Sequence, residues 1–454
     1  MFGPLLQYPS LKTVLLHMDA NVRFQISVHM PSIRRVEKLV PLKINSLESD
    51  EGVTKVNDTS YRLGILRHCP EANAPRLTEL EMERGSRFDF DECGFKFVSG
   101  ASILLPGDAS FQEETDVVLR YTEEDEKRLR RKLSGLAKAL MILKEFESQG
   151  KDVKVYLRVL KAVPFARLSD EEQTVYYALR DDSENLLSRI DECRLELLPF
   201  ECWRNNTKSP FTCYIQLSIT KGSKTHVERF EYTKKLFEVW RHFHKVLFGG
   251  RTMPILVGEF LFKSFDGIYR LPVGFRLQVQ NACFTPQTVA HKKFPLIVEN
   301  WQSLNTVEIN LENTVLTVDT FECQIVRNAG TLIISDITDF EFETLVPIVR
   351  RLPNHGIRIH VLCPCSPERQ FTIIQAWLVG KRQVGASLRM NVKNFDTILE
   401  VQRLILIRYE GSKKTERCIT APLSNSTALE TSYDQYQEEF QETSWMLKME
   451  IVKV

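Results

Sequence analysis

Cysteine, histidine and clustered basic residues are where this sequence could do chemistry. Its ten cysteines stand at positions 69, 93, 193, 202, 213, 283, 323, 363, 365 and 418. Only Cys363-Pro364-Cys365 makes a close pair, and that step lacks the C-x2-C knuckles that wrap a tetrahedral zinc. The nearest histidines along the chain are His355 and His360, and no metal site is assigned to them. Reduced, mostly buried thiols acting as small hydrophobes are the expected state. His242 and His244 flank Phe243 on a helix-patterned stretch beside Trp240 and Arg241. Residues two apart on a helix point to different sides, so the pair cannot share a metal, and both read as surface histidines.

Phosphate and acyl chemistry find no better footing. No Walker A loop, dinucleotide-binding glycine fingerprint, H-E-x-x-H or G-x-S-x-G occurs. The double glycine in Phe248-Gly249-Gly250-Arg251 lacks the Lys-Ser/Thr that would cradle a phosphate and reads as a helix end followed by a turn. Lys127-Arg128-Leu129-Arg130-Arg131-Lys132 could meet phosphates, but Glu123, Glu124, Asp125 and Glu126 directly precede it and supply i, i+4 partners. That makes it a solvated helix face. No catalytic residue and no cofactor-binding or metal-binding residue is named, and the chain is not expected to be an enzyme.

The elements that would position any such site come from periodicity. The chain has 454 residues, 43% hydrophobic and 26% charged, enough apolar surface for two or three packed domains. Lys plus Arg number 60 against 59 Asp plus Glu, a formal charge of +1, which argues against nucleic acid as a partner. The opening Met1-Phe2-Gly3-Pro4-Leu5-Leu6 has no basic n-region, and the strongest apolar run, Ile255 to Phe262, contains Glu259 and is too short to span a bilayer. No membrane partner is expected, and the chain is placed inside the cell, in cytoplasm or nucleus. The sequons at Asn57, Asn205 and Asn425 should then stay unmodified.

Leu11, Val14, Leu15 and Met18 fall at helical spacing after Ser10; Phe24, Ile26 and Val28 follow. Pro31 opens a third segment with Ile33, Val36, Leu39 and Val40 on one side and Arg34, Arg35, Glu37 and Lys38 on the other. From Leu42 the pattern turns to strands, then a long helix runs from 123 to 149. Its Leu129, Leu133, Leu136, Leu140 and Leu143 form a heptad-like seam, through which self-association is possible. Ser169 reads as an N-cap. Strands follow at Thr212 to Ile219, Ile255 to Phe262 and Phe275 to Val279, and a helix from about Thr233 to Phe248.

After Phe294 strand-like cores recur at Val307 to Ile309, Leu332 to Ile334, Ile357 to Val361, Leu388 to Val392 and Leu404 to Ile407, with helical stretches such as Glu341 to Arg351 and Glu368 to Val379 between them. That rhythm suggests a leucine-rich-repeat-like stack, or else an ordinary parallel α/β sheet. The expected class is α+β, in four parts: a helical head 1–41, a β-rich domain 42–200 with the long helix 123–149, a second β/α unit 201–293, and a repeat-like α/β domain 294–454.

Tyr8-Pro9-Ser10-Leu11, Val14-Leu15-x-x-Met18, Val22-x-Phe24-x-Ile26-Ser27 and Ile33-Arg34-Arg35-Val36 resemble a degenerate F-box, with Tyr8-Pro9 in place of Leu-Pro and Asp19 where a second proline is common. His226 to Leu236, Leu247-Phe248-Gly249-Gly250-Arg251 and Tyr269-Arg270-Leu271-Pro272-Val273-Gly274-Phe275 look like the shared uncharacterised domain of the nematode-expanded F-box-C-type family. The resemblance implies a non-catalytic substrate adaptor of a cullin-type ubiquitin ligase. Its head would dock on a Skp1-like adaptor through Tyr8, Pro9, Leu11, Val14, Leu15, Met18, Phe24 and Ile26, and its C-terminal module would hold an unidentified target protein. The alternatives are an interaction scaffold whose F-box no longer binds the adaptor and, from another class, an enzyme without a recognisable motif.

Overall fold

The computed structural model describes residues 8–50, 52–69, 79–100, 103–110, 121–150, 168–262, 268–284, 294–311, 318–338, 341–362, 365–380, 382–436 and 444–454. Met1 to Leu6 and the Cys363-Pro364 step lie outside them. The chain divides into two compact units, one of residues 1–59, 104–114 and 243–454, the other of residues 60–103 and 115–242. The division falls inside helix Leu236–Phe248.

The first unit is built on a mixed sheet. Its parallel part runs Lys43–Asp50, Ile255–Phe262, Leu277–Phe284, Thr306–Asn310, Thr331–Ile337, Gly356–Val361, Ser387–Val392, each strand bonded to the next. Val53–Val56 adds antiparallel to the first of these. Ser444–Lys453, Thr427–Tyr436, Cys418–Pro422 and Lys413–Lys414 continue the far side antiparallel. The register stacks apolar rows across strands. Val307, Leu332, Ile357, Leu388 and Met449 are directly opposite one another in turn, as are Ile309, Ile334, Ile359, Met390 and Leu447, and all are buried. Burying one such side chain is worth roughly 1.5–3 kcal/mol, so these rows hold the sheet to its helices.

Helices Phe342–Arg351, Pro367–Val379 and Phe395–Arg408 pack side by side in sequence order. Pro367 sits in the first turn after the Ser366 N-cap, where a missing N–H costs nothing. Leu404 to Ile407, expected as a strand, lies inside helix Phe395–Arg408. Asn394 caps that helix, and Ile398, Val401, Gln402 and Ile405 bury one side at 3.6-residue spacing. A short apolar run cannot by itself distinguish a strand from a buried helical stripe. The parallel βα rhythm spans Thr306 to Val392, and beyond it the chain turns antiparallel. The mixed sheet fits the broad α and β expectation.

The head is three short helices, Tyr8–His17, Ala20–His29 and Pro31–Leu39. Asp19 caps the second, its Oδ1 accepting from the N–H groups of Asn21 and Val22. The third keeps the expected sides at Ile33, Val36 and Val40 and at Arg34 and Arg35, but departs at two positions: Glu37 is buried and Leu39 exposed.

Among the described residues the second unit holds nearly all of strand Thr59–His68, strands Thr212–Lys221 and Lys224–Glu231, the short helix Glu79–Arg84 and the three longer helices that follow. Helix Glu123–Ser148 starts on a Thr122/Asp125 capping box and helix Asp170–Ala178 on a Ser169/Glu172 box. Helix Ser183–Arg204, with Pro199 inside it, had no counterpart in the sequence reading. The leucine seam is occupied within the unit. Leu136, Ala139 and Leu143 share a buried cluster with Val175, Leu179, Leu186, Ile190 and Leu197, and Leu129, Leu133 and Leu140 pack against it. The seam expected to offer a self-association face thus packs, wholly or in part, against helices of its own unit.

Candidate functional site

Of the eight residues expected to meet an adaptor, Leu15 and Phe24 are 1% and 4% exposed and belong to the first unit's core. Phe24 lies edge-on to Phe248 with ring centroids 5.8 Å apart. Leu11, Met18 and Ile26 are half-buried, and Tyr8, Pro9 and Val14 are exposed. The spacing therefore brings two sides of the head together in one set: an inner side that packs and an outer side that faces water. Further apolar residues of the head are exposed besides that set: with Tyr8 and Val14, residues Val22, Val28, Met30 and Leu39 are 41–49% exposed.

Polar contacts fix the inner side. Asn21 Nδ2 donates to the Val56 carbonyl at 2.9 Å, and Asn57 Nδ2 donates to Asp19 Oδ2 at 2.8 Å. Asn57 itself has φ +53°, a left-handed turn position that asparagine tolerates. Asp19, which departs from the F-box pattern, is thus both a helix cap and a tie to the turn.

Around Glu37 a buried ion cluster forms. Arg23 Nε donates to Glu37 Oε1 at 3.0 Å and Arg251 Nη2 donates to the same oxygen at 2.7 Å. The remaining donors turn to helix C-termini. Arg23 also bonds the carbonyls of Glu37, Val40 and Pro41, and Lys38 Nζ bonds those of Val246 and Leu247 at 3.0 Å. Those carbonyls are the negative ends of helices Pro31–Leu39 and Leu236–Phe248, where cations are favoured. Burial lowers the pKa of both arginines despite Glu37. Lys38, desolvated and repelled by Arg251, is brought down to about 8. The Leu247-to-Arg251 string has its role here: the glycine turn returns Arg251 to its own helix end.

His244, expected at the surface, is 2% exposed. Helix Leu236–Phe248 carries it inward because Leu247 and Phe248, three and four residues on, share its buried side. Its Nδ1 lies 2.7 Å from the Arg270 carbonyl and its Nε2 2.9 Å from Thr54 Oγ1. A carbonyl only accepts, so Nδ1 carries the proton and Nε2 accepts from the threonine hydroxyl. Desolvation drops this histidine to about 4. Arg270 extends the cluster through an ion pair of 2.6 Å to Asp108. Both ring nitrogens are engaged inside the core, so His244 is neutral at ordinary pH and ties Thr54 to the Arg270 backbone.

In the second unit buried Asp89 accepts from the Ser99 and Tyr232 hydroxyls and, at 3.0 Å, from the Leu236 N–H. It thereby serves the first turn of helix Leu236–Phe248 from outside the helix. Burial and Asp89 push the Tyr232 hydroxyl's pKa strongly upward, so it is a donor, not a base. Lys235 Nζ donates to Tyr232 Oη at 3.2 Å and lies 4.9 Å from the Phe97 ring centre. Arg67 lies 4.6 Å and 5.2 Å from the rings of Phe90 and Phe211. These groups line a cleft of about 530 Å³ that also takes in Cys213, whose thiol burial pushes up and makes less reactive.

Among the described residues no group of three or more His, Cys, Asp or Glu could hold a metal ion, and no helix is long and apolar enough to cross a membrane. Sequence reasoning missed Glu37, His244 and Asp89. Their single signal was three stretches singled out in the sequence, 226–236, 247–251 and 269–275, which hold Tyr232, Leu236, Arg251 and Arg270, the partners of those groups or of their backbone. No curated protein and no solved structure matches the chain. A family model described as a domain of unknown function, DUF3557, matches residues 235–394, so over that stretch, from Lys235 in the cleft to the strand Ser387–Val392, the chain is similar to that family.

Proposed function

We propose that the chain is a non-catalytic protein-interaction protein, acting in cytoplasm or nucleus. In this reading its N-terminal helices dock on a Skp1-like adaptor of a cullin-type ubiquitin ligase, and its C-terminal α/β region, a repeat-like array, holds the target. The observation that carries this is the outer side of the head, where Tyr8, Val14, Val22, Val28, Met30 and Leu39 stand exposed on helices whose inner side is already anchored. Six exposed apolar residues within 32 positions, on helices held from the other side, are what a docking partner would cover. The docking set is accordingly Tyr8, Pro9 and Val14, with Leu11, Met18 and Ile26 at the margin and Leu15 and Phe24 supporting from below.

Co-expression with a Skp1-like adaptor, followed by size-exclusion chromatography, tests it. A complex with the wild type that is lost on Val14→Asp with Val22→Asp, at unchanged circular dichroism, supports the reading; a folded wild type that never co-elutes refutes it. Leu15→Asp is no use as a probe, since it would place a charge in the core.

The second reading is a scaffold whose head is retained as a packing element. It is favoured by the Arg23–Glu37–Arg251 cluster, which makes the head integral to the first unit whether or not an adaptor binds.

A further inference from the structure

The sheet rows that face away from the buried apolar ones alternate with them and carry different chemistry. In the row next to Val307–Met449, the register sets Glu308 opposite Ile333, Ile333 opposite Arg358, Arg358 opposite Arg389, and Arg389 opposite Lys448. Arg358 is half-buried and Arg389 exposed, so this row is less covered than the fully buried apolar row beside it.

Two arginines directly opposite on neighbouring strands have Cα atoms only about 5 Å apart, and like charges so placed repel. Their acidic neighbours do not relieve them. Glu308 is two strands away and accepts from the Ser335 hydroxyl at 2.8 Å. Asp434 is held by Lys448. Glu450, one pair along opposite Ser387, is exposed. Among the described residues neither Arg358 nor Arg389 has an ion-pair partner. Arg358 Nε is shielded from water and has no acceptor, and an orphaned charged donor in a native protein calls for an explanation. Beside them Asn391 is locked, its Oδ1 accepting from the Val361 N–H at 2.7 Å and its Nδ2 donating to the Val361 carbonyl at 3.0 Å. The strands that present the two guanidinium groups are therefore cross-tied.

We propose that Arg358 and Arg389 together hold a carboxylate side chain of an acidic peptide segment at the exposed Arg389 end of this row. The proposal deepens the target-capture half of the function above and rests on it. Two guanidinium forks offer parallel N–H donors that match a carboxylate bidentately, which ammonium groups do not. A polyanion is disfavoured because Glu308, Glu430 and Glu450 share the face and the chain's net charge is +1. The positive field is local and fits one or two acidic side chains, not a phosphate backbone.

The test pans the full chain against a displayed library of short random peptides. Wild type should enrich sequences bearing Asp or Glu, and Arg358→Gln or Arg389→Gln should lose that enrichment. A synthetic peptide from the wild-type pool should bind either variant about tenfold more weakly, the loss expected for one charge-assisted contact. Arg403→Gln, which removes an exposed arginine already paired to Glu400, should bind as wild type does. Enrichment without acidic residues, equal affinity for the variants, or preferential capture of oligonucleotide or phosphopeptide probes overturns the proposal. The thermal midpoint of Arg389→Gln should equal or exceed that of wild type, since a repulsion is relieved; a clear fall makes Arg389 structural and also overturns it. Head variants such as Val14→Asp should leave peptide binding unchanged, so peptide capture and adaptor docking fail separately.

Discussion

Acid should loosen the first unit through one residue, His244. Its folded-state pKa is about 4 against an ordinary value of 6.5, because burial disfavours the imidazolium. The unfolded chain therefore takes up the proton more readily than the folded one. The stabilisation is complete above about pH 6.5 and is lost progressively as pH falls toward 4. A displacement of about 2.5 pH units at about 1.4 kcal/mol each makes the full loss roughly 3 kcal/mol. The comparison variant is His244→Phe, which cannot titrate but leaves the Thr54 hydroxyl and the Arg270 carbonyl without their partner, at about 1–3 kcal/mol. Urea unfolding followed by circular dichroism at several pH values reads both effects. At pH 7 the variant should unfold at lower urea; as pH falls the two midpoints should converge, because only the wild type has His244 to lose. Parallel midpoint-versus-pH profiles would refute the reasoning and mean that His244 is protonated at no cost in the folded state.

Glu37→Gln keeps the shape of the Arg23–Glu37–Arg251 cluster but leaves two buried guanidinium groups uncompensated; urea unfolding should show a loss of about 3–5 kcal/mol. Lys38, at about 8 against an ordinary 10.5, carries a charge penalty below pH 8. Stability should rise between about pH 8 and 10.5, where the unfolded chain still binds the proton, and Lys38→Met should flatten that rise. Gly135→Val should destabilise the three-helix cluster by about 1–3 kcal/mol in thermal melts, since a Cβ there would lie 2.9 Å from the Thr174 Cβ and 3.0 Å from the Glu171 carbonyl oxygen.

Local signals were legible in the sequence. Ser169 as a cap, Pro31 as a helix start, strand Ile255–Phe262 and the four parallel strands from Thr306 to Val392 follow from turn chemistry and apolar rhythm. What escaped was set by partners far away in the chain. Lys43–Asp50 pairs with Ile255–Phe262 across some two hundred residues, and nothing in either strand names the other. Glu37 and His244 looked like surface residues because both sit among polar neighbours on helices; their burial depends on Arg23, Arg251, Thr54 and Arg270 arriving from elsewhere. Phe24 and Val14 have the same apolar character and opposite placements, so composition could nominate the docking set but not sort it. The like-charged pair Arg358 and Arg389 is visible only once register puts the two side by side.

Adaptor docking, if it occurs, must cover the exposed apolar residues of the head. Amide hydrogen exchange of the full chain, with and without a purified Skp1-like adaptor, reads that surface residue by residue. Added protection confined to helices Tyr8–His17 and Ala20–His29 and the Met30 turn, absent in the Val14→Asp with Val22→Asp variant, is the predicted result. An unchanged head in the presence of saturating adaptor, or protection elsewhere with none on these helices, would contradict it.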